Sequence, residues 1–259
     1  MGAYAAWIGK KGVALSKAID IAVTTGTSYT IVTIVDAILK AAEDVGISIS
    51  ESRVTVIGAT GGIGNVVSRL IAKYVKQLNL VARHNNKLEE LADSIGSANR
   101  KTLSIKTMDN ISKALKQSDI VIIVTSTPTA LINVDDLLPG TVVCDISLPH
   151  NVPQEAAERR KDILIIDGGV VKPPGDCNFH FNFGLAPSLA YACMAETMIL
   201  TLEGLFEESS IGGRISIEKV EKMAHLGKKH GFRLADFKSF GKEVPPQKLE
   251  AVRKVVSTK

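Results

Sequence analysis

A glycine-rich segment between a β-branched run and a helical pattern constrains the fold of this chain more than any other feature. Residues 56–64 read Val-Ile-Gly-Ala-Thr-Gly-Gly-Ile-Gly. Gly58 allows a tight turn, and Gly64 lets the following helix pack closely on the strand, while the glycines between them let backbone N–H groups approach a pyrophosphate. A tight turn without a ligand would show the same spacing, but strand and helix context on both sides favours a dinucleotide site. The predicted phosphate-binding residues are Gly58, Ala59, Thr60, Gly61, Gly62, Ile63 and Gly64.

Short apolar runs alternate with helical patterns on both sides of this turn. Apolar runs joined by helical crossovers are typical of a buried parallel sheet. We therefore expect an α/β fold, a doubly wound parallel sheet forming a Rossmann-like dinucleotide-binding domain, with flanking N- and C-terminal helices. The predicted strands are 53–57, 78–82, 103–106, 120–125, 141–146 and 163–166, and the predicted helices between them are 62–77 and 87–95.

The segments around this domain have helical periodicity. Residues 29–45 carry apolar side chains at the spacing of an amphipathic helix, and a second helix is predicted from Pro187 to about residue 206. This second helix is apolar almost all round and is expected to be buried. The predicted domains are 1–50 (helical), 51–185 (Rossmann-like, NADP-binding) and 186–259 (helical). No apolar run reaches the 18 residues of a membrane span.

The tip of the second predicted strand indicates which dinucleotide binds. An acid about 20 residues after the glycine turn would contact the ribose hydroxyls of NAD, but here the chain reads Val-Ala-Arg-His-Asn-Asn-Lys from residue 81. An Arg presents a planar bidentate fork to a phosphate. Ala82 and Arg83 are therefore predicted to bind the 2′-phosphate of NADPH, the alternative for Arg83 being a solvated loop charge.

Small and polar residues follow the later predicted strands at the same edge of the sheet. Ligands lie at the carboxyl ends of strands in open α/β sheets. We expect these residues to surround the ribose and the nicotinamide: Thr125, Ser126, Thr127, Ser147, Gly168 and Gly169.

Cysteine number and charge limit the remaining possibilities. The chain has three Cys without metal-ligand spacing, which argues for a reducing compartment and against a disulfide framework or a metal site. Because a signal-peptide pattern is also missing, we expect a cytoplasmic protein without a metal or a nucleic acid partner. The net charge is +4, and residues 214–259, with 12 Lys or Arg and 5 Asp or Glu, carry the basic character.

The candidates for chemistry are the three thiols and two histidines, His150 and His180. Cys144 lies in an apolar strand and is expected to be a structural thiol. Cys177 lies in a loop with no mark of function nearby. Cys193 is placed in the second turn of the long helix, beyond the reach of the helix dipole, so the residues alone favour packing over nucleophilic attack.

Further segments make the chain resemble a known family, the cyanobacterial-type long-chain acyl-[acyl-carrier-protein] reductases, which form fatty aldehydes with NADPH. The resemblance starts near Gly2-Ala3-Tyr4 and covers nearly all of residues 2–232. It is strongest from residue 167, through the Tyr-Ala-Cys-Met-Ala-Glu-Thr-Met run at 191–198, to His-Gly-Phe at 230–232. In that family the Cys of the Ala-Cys-x-Ala-Glu segment accepts the acyl group. The resemblance implies that Cys193 is the nucleophile.

The family resemblance also implies a substrate and partners. Cys193 would take the acyl group from a long-chain thioester, carried by an acyl carrier protein or coenzyme A, and hydride from NADPH would release the aldehyde. Thr24, Thr25 and Ser28 either cap a helix or lie near the active site. Family members carry a further substrate domain ahead of the segment matching Gly2, so we expect a separate acyl-binding chain, a truncation or a smaller substrate.

Two other functions fit the same cofactor motifs. One is an NADP-dependent dehydrogenase of the shikimate or amino-acid type, with direct hydride transfer. The other is a non-catalytic NADP-binding module. A covalent acyl adduct on Cys193 distinguishes the acyl reductase from both.

Overall fold

The structure is a computed structural model that describes residues 1–2, 8–98, 103–127, 129–147 and 149–259. Ala3 and Tyr4, where the family resemblance begins, lie outside these residues. The chain divides into two compact units. The first unit is Met1–Asp36 with Gly169–Ala235, and the second unit is Ala37–Gly168 with Asp236–Lys259. Both units are discontinuous in sequence. The boundary expected at residue 50 lies inside the second unit, and the boundary expected at residue 185 lies inside the first unit.

Helices and strands alternate through most of the described ranges. The helices are α1 (Ile8–Lys11), α2 (Val13–Ser16), α3 (Thr27–Val45), α4 (Gly62–Ile71), α5 (Asn85–Ala98), α6 (Ile111–Leu115), α7 (Gln154–Arg159), α8 (Ala192–Glu203), α9 (Ile217–Lys229) and α10 (Pro246–Val256). The strands are β1 (Arg53–Ile57), β2 (Gln77–Val81), β3 (Ser104–Met108), β4 (Ile120–Ile123), β5 (Val142–Asp145), β6 (Leu164–Ile166), β7 (Val170–Lys172), β8 (Ala190–Tyr191), β9 (Arg233–Leu234), β10 (Lys238–Ser239) and β11 (Lys242–Glu243).

A six-stranded parallel sheet forms the centre of the second unit. Its strand order is β3-β2-β1-β4-β5-β6, and all six strands are parallel. From β1 the chain adds β2 and β3 on one side, and it then returns to add β4, β5 and β6 on the other side. Ile57, the last residue of β1, lies in register with Val81 of β2 and Ile123 of β4. The predicted doubly wound, Rossmann-like fold is confirmed, and its switch point is the carboxyl end of β1.

Apolar side chains on both faces of the strands build the core of the second unit. Every residue of β4 and β5 is buried, as a sheet covered by helices requires. Helix α4 ends at residue 71, six residues before its expected end. It cannot continue to residue 77, because the backbone N–H groups of Lys76 and Gln77 donate to the carbonyl of Ser52 where the pairing of β2 with β1 begins.

The first unit contains a small antiparallel sheet that the sequence did not predict. Its strand order is β8-β7-β9, with Val171 in register with Ala190 on one side and Leu234 on the other. Helices α8 and α9 belong to the same unit. None of the helices in the described ranges is both long and apolar enough to cross a membrane.

Candidate functional site

The turn after β1 has the geometry expected of a dinucleotide-binding turn. Gly58 has a φ of 88°, and a Cβ there would lie 2.8 Å from the carbonyl oxygen of Val124. A Cβ on Gly64 would lie 2.2 Å from the carbonyl oxygen of Gly58. Only glycine fits at these two positions, because each lets one backbone segment contact another directly.

The start of α4 leaves backbone donors for an anion. Gly61 is the N-cap residue, and no described side chain caps the first N–H groups of the helix. Uncapped N–H groups and the helix dipole together favour a phosphate. Thr60, Gly62 and Ile63 are half-buried around this start, Gly61 is exposed, and Ala59 is buried. These residues fit the pyrophosphate of a dinucleotide.

The basic residues Arg83 and His84 follow β2, which is the neighbour of β1 in the sheet. Ala82 is half-buried, whereas Arg83 and His84 are exposed, and α5 begins directly after them at Asn85. The guanidinium is therefore open to a ligand that approaches the carboxyl edge of the sheet. Its role as the 2′-phosphate ligand stays a prediction.

The other predicted cofactor residues follow β4, β5 and β6. The hydroxyl oxygens of Thr125 and Thr127 lie 2.9 Å apart, and Ser126 between them is exposed. Ser147 is buried, and its Oγ has no hydrogen-bond partner among the described residues. Because the strands are parallel neighbours, the structure brings these residues and Gly168 to the same edge as the glycine turn. Gly169 belongs to the first unit, where its carbonyl accepts the N–H of Ala192 at 2.8 Å.

A pair of carboxylates that the sequence analysis missed surrounds His150. The His150 ring lies 3.8 Å from Asp145 Oδ2 and 3.7 Å from Asp167 Oδ1. Asp145, with Asp167 adding to its effect, raises the pKa of His150, although burial opposes this shift. Asp145 also accepts the backbone N–H groups of Ser147, Asn151 and Val152, which shapes the loop after β5. The signal in the sequence that could have indicated this pair is Asp145, an acid at the end of a buried strand.

Cys193 lies in the first turn of α8, not in the second turn of a longer helix. The expected start at Pro187 is wrong because Ala190 and Tyr191 pair with β7, so the helix begins at Ala192. A thiol in the first turn is within reach of the helix dipole. The expectation of a helix buried all round is also wrong. Thr197, Thr201 and Leu202 are exposed, while the opposite side of the helix is buried.

Two glycines, Gly2 and Gly26, lie against Cys193. A Cβ on Gly26 would lie 2.2 Å from Cys193 Cα, and a Cβ on Gly2 would lie 2.7 Å from its Sγ. Cys193 is half-buried. The glycines therefore allow two backbone segments to contact this residue while leaving part of it accessible.

The hydroxyl groups of residues 24–28 bind α8 and the segment before α9, so they do more than cap α3. Thr24 Oγ1 donates to Glu196 Oε1 at 2.5 Å, and Thr25 Oγ1 donates to the carbonyl of Ser210 at 2.5 Å. Ser28 Oγ lies 2.7 Å from Ser210 Oγ. These three residues therefore lie in the same unit as Cys193 and close to its helix.

The remaining candidates are placed less favourably for chemistry. Cys144 is fully buried in β5, and burial raises the pKa of its thiol, as expected of a structural cysteine. Cys177 is half-buried in a loop, and its Sγ contacts the carbonyl of Pro174 at 3.3 Å. His180 is exposed in the same loop. Within the described ranges, no three His, Cys, Asp or Glu side chains are grouped to hold a metal ion.

Comparisons with known proteins agree with this fold. The family model of shikimate/quinate 5-dehydrogenase matches residues 40–167. The central domain is a Rossmann-type NAD(P)-binding domain. The long-chain acyl-[acyl-carrier-protein] reductase of Synechococcus elongatus is 30% identical over 81% of this chain and 61% of its own length. The aminotransferase PigE of Serratia sp. is 27% identical over 96% of this chain and 29% of its own length.

The shikimate/quinate 5-dehydrogenase family and the acyl-[acyl-carrier-protein] reductase are oxidoreductases, whereas PigE is named an aminotransferase. This chain spans less than two thirds of the length of either curated relative. Among solved structures, quinate dehydrogenase from Corynebacterium glutamicum is 15% identical, with a TM-score of 0.39, over 88% of this chain and 62% of that one.

Proposed function

We propose that the chain catalyses the NADPH-dependent reduction of a long-chain acyl thioester to a fatty aldehyde, with Cys193 carrying the acyl group. The observation that carries this proposal is the place of Cys193 in the first turn of α8, half-buried against the backbones of Gly2 and Gly26. Helix N-termini stabilise thiolates and the oxyanions that form during acyl transfer. The similarity to the acyl-[acyl-carrier-protein] reductase supports the same reaction.

The reaction has two steps, and both take place at the sulfur atom of Cys193. In the first step the Cys193 sulfur bonds to the acyl carbon while the bond to the carrier sulfur breaks, and the carrier leaves as a thiol after taking up a proton. The chemistry that NADPH supplies when bound is a hydride for the acyl carbon. The bond between that carbon and the Cys193 sulfur then breaks and releases the aldehyde.

The cofactor assignment rests on the carboxyl edge of the sheet. The glycine turn and the uncapped start of α4 fit the pyrophosphate. The exposed Arg83 fits the 2′-phosphate, and residues 125–127, Ser147 and Gly168 fit the walls around the ribose and the nicotinamide. We propose NADPH as the reductant for these reasons.

The substrate carrier is an acyl carrier protein or coenzyme A. The reductase relative is named for the protein carrier. The odd number of cysteines favours the cytoplasm as the place of the reaction.

A second candidate function is direct hydride transfer to a bound carbonyl without a covalent intermediate. The observation that favours it is the match of the shikimate/quinate 5-dehydrogenase model to residues 40–167. This reaction would use the same NADP-binding edge but no thiol. The two functions therefore differ in one chemical species, the acyl-enzyme.

Intact-protein and peptide mass spectrometry after mixing with a long-chain acyl thioester tests the proposal. We expect an acyl adduct on Cys193, and we expect Cys193→Ala to abolish both the adduct and aldehyde formation. Cys177→Ala is the matched control and should retain both. A folded Cys193→Ala protein that still forms product would exclude the covalent mechanism and favour direct hydride transfer.

A further inference from the structure

A fully buried carboxylate lies one helical turn after Cys193. Glu196 is 0% exposed and follows Cys193 by three residues on α8, so the two side chains project from the same side of the helix. Its Oε1 accepts hydrogen bonds from Thr24 Oγ1 at 2.5 Å and Ser210 Oγ at 2.7 Å. Its Oε2 accepts the backbone N–H of Tyr29 at 2.8 Å. The proposed reaction does not use this group, yet burying it without partners would be costly.

Each of the three partners of Glu196 has a proton to donate to it. Thr24 Oγ1 accepts the N–H of Gly26 at 3.0 Å, so its own proton is available to Glu196. Ser210 Oγ accepts the N–H of Ser28 at 3.1 Å and donates to Glu196 in the same way. An ionised carboxylate accepts and never donates, so all three donors around Glu196 are satisfied.

These bonds hold a turn on both sides of Gly26. Thr24 precedes Gly26 by two residues and Tyr29 follows it by three, and Glu196 binds both. Gly26 has a φ of 71° and contacts the backbone of Cys193 so closely that a Cβ would lie 2.3 Å from the Cys193 carbonyl oxygen. The carboxylate therefore holds the turn at residues 24–29 against the first turn of α8.

We infer that Glu196 is a positioning residue, which orients Cys193 for acyl transfer by fixing Gly26 against it. The inference rests on the proposed role of Cys193 as the nucleophile. Glu196 acts only through the turn, and it has no contact with substrate or cofactor in this role. Errors of about 1 Å in the position of a reacting group cost up to about 100-fold in rate, so a fixed turn has a large kinetic effect.

The first test replaces the carboxylate by an amide of the same shape. In Glu196→Gln the new NH2 group faces either the Tyr29 N–H, where a donor meets a donor, or the two hydroxyls, which must then turn their protons away and accept instead. Either orientation disturbs the hydrogen bonds that hold the turn. We expect the rate of Cys193 acylation by a long-chain acyl thioester to fall at least about tenfold, with NADPH affinity unchanged. The matched control is Glu203→Gln on the same helix, whose carboxylate binds Lys229 and His230 instead. It should be acylated at the wild-type rate.

Thr24 supplies a second pair of variants that does not alter the buried charge. Thr24→Val removes the hydroxyl at constant shape, and Thr24→Ser retains it. We expect Thr24→Val to slow acylation in the same direction as Glu196→Gln, and Thr24→Ser to restore the wild-type rate. A role limited to stability would lower the melting temperature of both valine and glutamine variants but leave the acylation rate of the folded protein unchanged.

Alkylation by iodoacetamide, followed at the peptide level, separates this inference from the proposed function. The ratio of alkylation at Cys193 to that at Cys177 reports the surroundings of the first thiol without any acyl chemistry. We expect the ratio to change at least about threefold in Glu196→Gln and Thr24→Val. If wild-type Cys193 is never acylated, the proposed function fails, and this ratio then decides only whether Glu196 holds Gly26 against Cys193. Unchanged ratios and acylation rates in both variants would overturn it.

Discussion

Arg83 is the single side chain that we expect to distinguish NADPH from NADH. It is exposed at the end of β2, where the chain has no acid to bind ribose hydroxyls. The guanidinium fork can bind two phosphate oxygens at once. Neither His84 nor Lys87 can bind a phosphate with this geometry. This role stays a prediction, and it could be made from the sequence because it needs only the residue types after a strand.

Replacing Arg83 by Ala should therefore weaken NADPH binding and leave NADH binding nearly unchanged. Charge-assisted hydrogen bonds contribute about 1.5–3 kcal/mol each, which corresponds to about a 10- to 100-fold change in the dissociation constant. Fluorescence titration with both cofactors measures the two constants. Lys87→Ala, which removes an exposed cation within the first turn of α5, is the control. Equal losses for NADPH and NADH would assign Arg83 another role.

The turn between β1 and α4 shows what an element can be predicted to do from its sequence. Residues 53–57 form the predicted strand, and the helix begins at the expected Gly62. The glycines specify this turn locally, because Gly58 needs a positive φ and Gly64 needs direct backbone contact. Local signals of this kind are readable without knowing the rest of the fold.

A methyl group at Gly64 should disturb this element in a measurable way. In Gly64→Ala the Cβ meets the Gly58 carbonyl oxygen at 2.2 Å, so the helix must move away from the turn. We expect a stability loss of about 1–3 kcal/mol, measured by urea unfolding, and weaker binding of both NADPH and NADH. Gly96→Ala in α5 is the control, because its Cβ would have only an ordinary contact at 3.8 Å. It should stabilise the helix by up to about 1 kcal/mol. A Gly64→Ala protein as stable as wild type would contradict this packing.

Helix α8 shows why other elements could not be predicted. Its periodicity continues back to Pro187, yet the helix begins at Ala192 because the two preceding residues pair with β7, about 20 residues earlier in the chain. Such pairing is a tertiary interaction that overrides local helical preference. The consequence reaches the candidate site, since the later start moves Cys193 into the first turn.

At the scale of the whole molecule, the least predictable features are contacts between distant parts of the chain. The hydrogen bond between Thr24 and Glu196 joins residues 172 positions apart, and each residue alone reads as a helix cap or a polar strip. The discontinuous units have the same origin, because the first 36 residues belong with residues 169–235. Single-sequence patterns report local periodicity, so they identify the sheet but not this network.

The basic residues near the C-terminus also divide between the units. Residues 214–235 belong to the first unit and residues 236–259 to the second, so they do not form one tail. In the first unit Lys228 and Arg233 are exposed, whereas Lys229 Nζ lies 2.7 Å from Glu203. Lys229 is therefore less available than Lys228 and Arg233 to bind an acidic partner protein. We define Lys228 and Arg233 as the basic pair of the first unit, which carries Cys193.

If the substrate arrives on an acidic acyl carrier protein, the basic pair should speed its association. Charge steering acts on the association rate and is screened over about 8 Å at physiological salt. Lys228→Glu combined with Arg233→Glu should raise KM for the carrier-bound substrate several-fold at low salt, and should change KM for the matching coenzyme A thioester much less. Lys106→Glu combined with Lys242→Glu changes the net charge equally on exposed residues of the second unit and is the control. A similar rise in KM in both double variants would mean that only the net charge matters. An unchanged KM in the first double variant would mean that Lys228 and Arg233 are solvated surface charges with no role in docking.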